Sequence, residues 1–95
     1  MTSREDWPQW LRDATTVDAN VEISDDGIVN WLGGKWVDGE WRDGVWHDGV
    51  WISGVWKDGV WRGGVWVDGE WRDGVWHDGV WVSGIWKDGV WKSGF

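Results

Sequence analysis

The chain has 95 residues, enough for one domain, with fifteen Trp, sixteen Gly, no Cys and a net charge of −8. The absence of cysteine excludes disulfides and thiolate metal sites. The acidic balance argues against nucleic acid and anionic membrane surfaces as partners, because both are bound by clustered Lys and Arg. No apolar run approaches the roughly 18 residues of a spanning helix, and the first twenty residues lack a secretion-signal pattern. The expectation is a soluble protein, with a cytoplasmic setting or one within an assembled particle left open.

Residues 1–30 have ordinary composition and read as an N-terminal helix and capping segment. Asp6 and Gln9 have the spacing of a capping box, and Pro8 suits a first helical turn. Trp7, Trp10, Leu11 and Ala14 then fall at i, i+3, i+4 and i+7, one apolar stripe on a short helix. Beyond Thr15 and Thr16, "VEISDDGIV" alternates around a DDG turn and reads as one or two short strands.

Residues 31–95 are thirteen pentads of the form Trp-x-x-Gly-x. A longer unit overlies them: 36–65 and 66–95 match at 25 of 30 positions, a duplication. Helix is excluded, since Trps five apart scatter around a helix and each interior Gly costs about 1 kcal/mol. Val, Ile and Trp between Asp-Gly or Ser-Gly corners point to short strands and tight turns.

Two all-β arrangements compete. In an antiparallel meander, the residues flanking a two-residue turn both face the partner strand, so a regular meander needs strands of even length. The strands here would have three residues, and Ser-Gly does not suit a turn with two positive φ values. In a β-solenoid, each pentad is one side of a coil and Gly turns the corner. The residue after each Trp counts the sides: the apolar ones, Val37, Ile52, Val67 and Val82, recur every fifteen residues. Three pentads per coil make a triangular prism of about four coils, stacked at ~4.8 Å.

Alternation along each side turns Trp inward. Five residues at ~3.3 Å make a side of roughly 16 Å and an interior of about 550 Å³ per layer, which three indoles fill at native density. The predicted core is therefore Trp36, Trp41, Trp46, Trp51, Trp56, Trp61, Trp66, Trp71, Trp76, Trp81, Trp86 and Trp91. Each indole N–H is expected to find a carbonyl in an adjacent coil.

The outer faces follow. Side A carries Val50, Ile52, Val65, Val67, Val80 and Val82, an apolar strip. Side B carries Glu40, Arg42, Lys57, Glu70, Arg72 and Lys87. Side C mixes Val45, Val60, Val75 and Val90 with His47, Arg62, His77 and Lys92. Side A is either covered by the Trp7/Trp10/Leu11 stripe of the helix or is a subunit interface. Asp43, Asp58, Asp73 and Asp88 form a corner column beside cations and read as a neutralised ladder, not a Ca²⁺ site. His47 and His77 lie two coils apart, ~10 Å, too far to share a metal. No catalytic constellation, metal site or cofactor motif stands out.

"DGEWRDG", at 38–44 and 68–74, resembles the Gly-x-Trp-x-x-Gly heart of MORN repeats. That resemblance implies β-hairpin arrays used for protein or lipid contact. The five-residue spacing is similar to pentapeptide-repeat solenoids, some of which are acidic rods that mimic DNA, with Leu or Phe inside a four-sided coil. Trp-x-x-Gly pentads also look like low-complexity repeats of bacterial and phage proteins. The repeat region has no Thr, so the Thr arrays of ice-binding solenoids are absent. The reading is a non-enzymatic structural, self-assembly or protein-interaction module whose last coil, ending "WKSGF", invites association with copies of itself or with another protein. A glycan-binding module with exposed Trp faces and an acidic DNA mimic are the alternatives.

Overall fold

The structure, a computed structural model, describes residues 4–95. Its repeat region is a β-solenoid of about four turns with about fifteen residues per turn, as the spacing of the apolar positions implies. Each pentad contributes a two-residue strand, such as Val45–Trp46, Val50–Trp51 and Val55–Trp56. Each strand pairs in parallel with the one fifteen residues on, Trp46 with Trp61 and Trp51 with Trp66. Every pairing among these short strands is parallel, so neither the meander nor the hairpins of a MORN-type array form. The coil has three sides, unlike the four of the pentapeptide-repeat solenoids. Backbone hydrogen bonds step sixteen residues back from both neighbours of each Trp from Trp56 to Trp91, for example Val55 N–H to Gly39 C=O and Lys57 N–H to Trp41 C=O.

The Trps fill the prism. Trp31 through Trp76 have no exposed surface, while Trp81 and Trp86 are half-buried and Trp91 is 39% exposed. Rings fifteen residues apart stack within 3–10° of parallel at centroid distances of 4.7–4.9 Å. Successive rings from Trp31 to Trp86 meet edge to face at 69–74° and 5.7–5.9 Å. Three equivalent rings can differ by that angle only if each tilts by roughly 40° out of the plane of its coil. Along a repeat of ~4.8 Å the tilt leaves about 3.6 Å between ring faces, van der Waals contact for carbon.

The expected carbonyl partners of the indoles are not there. Nε1 of Trp31 through Trp76 is buried without an acceptor, as is that of Trp7. The backbone carbonyls are taken up by the coil-to-coil ladder, and the indole edge meets a corner glycine instead. A Cβ on Gly49 would stand 3.0 Å from Trp31 Nε1. An unpaired N–H costs about 1–3 kcal/mol. Burying ~200 Å² of indole at about 25 cal/mol per Å² yields ~5 kcal/mol, so burial wins at each position.

The N-terminal segment closes the first coil. After a 3₁₀ turn at Arg4–Asp6, helix α1 is a single turn, Gln9–Arg12. The expected capping box does not form. Pro8, extended at φ −61°, ψ 157°, is the N-cap, and no side chain caps the helix. Gln9 is the first helical residue and bonds forward, to Asp13 and Arg12. Strand β1 (Thr15–Ile23) then runs antiparallel to β2 (Val29–Asp38), which crosses residue 30 without a break. Thr16 pairs with Trp36 on side A and Val21 with Trp31 on side C, while Trp10 lies 5.1 Å from Trp41 on side B. The segment thus makes one turn of reverse sense over the first layer of rings. Around its corner β1 is irregular: Asp18 takes φ 55°, and its carbonyl lies 2.4 Å from where Gly34 would carry a Cβ.

One corner glycine provides a test. Gly54 has φ +115°, and a Cβ there would sit 2.2 Å from the Gly39 carbonyl oxygen. Gly54→Ala is expected to lower stability by about 2–4 kcal/mol in urea unfolding, from strain plus a backbone clash. Gly63 has no positive φ and its Cβ would meet only the His47 carbonyl, at 3.3 Å. Gly63→Ser, which copies Ser93 of the duplicate, is expected to stay within about 0.5 kcal/mol.

Candidate functional site

Side A is where the structure and the expectation part. The helix does not cover it. Trp7 and Leu11 are buried in the N-terminal closure, and Trp10 packs over Trp41 at the end of side B. The cause is length: α1 has one turn, with Trp7 and Ala14 outside it, so the four residues never line up as one stripe. Side A is left bare. Val50, Ile52, Val65 and Val67 are half-buried by their neighbours, and Val80 and Val82 are 41% and 60% exposed. Parallel register places Val50, Val65 and Val80 in one column. Ile52, Val67 and Val82 follow their Trps in a second, and Lys35 stands at the head of the first.

Side B is polar and internally paired. Glu40 accepts from Arg42 of its own coil at 3.3 Å and from Lys57 of the next at 3.1 Å. Glu70 repeats this with Arg72 at 2.8 Å and Lys87 at 3.0 Å. Val55 and Ile85 occupy the alternate coils of the Glu column. The thirty-residue duplication is therefore a two-coil clamp, one carboxylate held by two cations. These contacts hold both carboxyls below the ordinary Glu range, chiefly through Lys57 at Glu40 and through Arg72, then Lys87, at Glu70.

The Asp column at the corner next to side B has a structural task. Asp43, Asp58, Asp73 and Asp88 each accept the N–H of the following glycine at 2.7–2.8 Å. Among the described residues no group of His, Asp or Glu is placed to hold a metal. On side C, His47 bonds Asn30 at 3.0 Å. No helix among the described residues is long and apolar enough to cross a membrane.

A second feature lies where the N-terminal closure meets the prism. Trp10 is the half-buried indole outside the last coil, and a groove opens on either side of it. The sequence pattern placed Trp10 with the apolar stripe. The sequence signal for its different role is Pro8, which postpones the helix to Gln9 and leaves Trp7 outside it. No family model, curated protein or solved structure matches the chain.

The side B clamp has a pH signature. A carboxyl with a lowered folded pKa stabilises the fold above its unfolded pKa, about 4.3 for Glu. That contribution fades as pH falls through the lower folded value. Melting of Glu40→Gln/Glu70→Gln beside the wild type is expected to show a small Tm deficit at pH 7. The deficit should close as the pH drops below about 4, and 1 M salt should shrink it at pH 7.

Proposed function

We propose that this protein is a non-enzymatic structural module that works by contact with other proteins, copies of itself included. The observation that carries the reading is side A, two ladders of β-branched residues on a parallel sheet that no helix among the described residues covers. The side measures roughly 16 by 19 Å, or about 300 Å². A standard interface takes about 800 Å² from each partner. One side A contact is thus reversible by itself and gains strength from repetition. Against a glycan platform stand the ten indoles without exposed surface. Against a DNA mimic stands side B, where each Glu is held by two cations.

Solution mass across concentration, for the wild type and Val67→Lys/Val82→Lys, tests the reading. The wild type is expected to associate as concentration rises, and the variant to remain a folded monomer at matched concentration. Two monomers of equal mass at every concentration would remove side A as a self-contact.

A further inference from the structure

The chain's acidic excess is uneven. Residues 1–30 contain two basic and seven acidic side chains, against seven and ten in the much longer repeat region. In that acidic surround Trp10 packs on Trp41 at 71°, half-buried, with a groove of about 460 Å³ beside it. Pro8 and Trp10, the β1–β2 turn with Asp26 and Ile28, and Val45 and Val60 of successive coils line it. Asp43 adds a second carboxylate, and no Lys, Arg or His lines the groove. Ile28 is 45% exposed.

Each carboxylate already has one local donor. Asp26 accepts from the Ser24 hydroxyl and Asp43 from the Gly44 N–H at 2.8 Å. Those bonds fix the side chains and leave their charge without a cation in the groove. The groove is kept open by the corners: Gly44 and Gly59 line it and can carry no side chain, since a Cβ on either would stand 2.5 Å from a backbone carbonyl oxygen.

An indole, apolar walls and two fixed carboxylates together select a cation on an apolar stem. The ring attracts the charge, the walls cover the methylenes, and the carboxylates complete the charge balance. We infer that the Trp10 groove binds a lysine or arginine side chain presented by an extended segment of a partner protein. A bare inorganic cation would leave the walls unused, and an anionic or neutral segment would bring no cation to the two carboxylates inside the groove. The site lies apart from side A and does not depend on association there.

The test is a titration followed by two-dimensional NMR, using an eight-residue peptide that alternates Gly with Lys and a counterpart with norleucine for Lys. The Lys peptide is expected to shift the Trp10 indole N–H, Ile28, Val45 and Val60 saturably, and the norleucine peptide to leave them in place. Trp10→Leu keeps an apolar contact on Trp41 without the aromatic face, and is expected to weaken binding about five- to tenfold. Asp26→Asn/Asp43→Asn is expected to weaken it at least as much, whereas Asp68→Asn, at the corner after side A, leaves it unchanged. Shifts spread over all the acidic corners, with Trp10→Leu binding as the wild type does, would overturn the inference. So would equal binding of the two peptides.

Discussion

The structure rests on a match between two spacings. Parallel strands repeat at ~4.8 Å, whereas aromatic faces touch at about 3.5 Å. Flat rings in successive coils would therefore leave a gap at every layer. Tilting each indole closes the gap, and the tilt makes neighbouring rings in a coil meet edge to face, with positive rim against negative face. Stacking along the axis and contact around it are thus one arrangement seen from two directions. A smaller ring would leave the prism hollow. The indole N–H groups are left unpaired because the tilt aims them at the corners, not along the axis where the carbonyls point.

The repeat region was legible because a regular coil permits few solutions. Odd strand length disfavoured the meander, and the fifteen-residue recurrence of Val37, Ile52, Val67 and Val82 fixed the number of sides. The N-terminal segment was less so. It has no repeat to average over, and its pattern of Trp7, Trp10, Leu11 and Ala14 fits a helix that starts only after the extended Pro8 and has given way to strand β1 by Thr15. Where the segment docks depended on the open edge of the first coil, which takes β1 as an antiparallel strand and Trp10 as a lid on Trp41. Neither the bareness of side A nor the groove beside Trp10 follows from local pattern alone, since both depend on that docking. The absent indole acceptors depended on ring tilt, which strand period does not specify.

The outer surface obeys electrostatics where the core obeys packing. Identical residues fifteen apart stand one above another, and two bare carboxylates ~4.8 Å apart in water repel by about 1 kcal/mol. Two corners avoid this by alternation, Asp38 and Asp68 with Ser53 and Ser83, and Asp48 and Asp78 with Gly63 and Ser93. The third keeps an unbroken Asp column but runs it beside Arg42, Lys57, Arg72 and Lys87. Glu40 and Glu70 sit two coils apart for the same reason, each bridged to a cation above and a cation beside it.

The core therefore repeats every five residues and the surface every thirty. Gain or loss of fifteen nucleotides, the common slippage error in a repetitive gene, would leave the Trp lattice in register, because any pentad fits any side. Every residue beyond the change would nevertheless turn by one face, bringing part of side A onto side B and breaking any clamp whose Glu and next-coil Lys lie on opposite sides of the change. Only a change of thirty residues is silent both inside and out. A lineage of such chains could thus alter its surface in whole-face steps without putting the fold at risk, and a length difference of one pentad would mark a change of surface rather than of architecture.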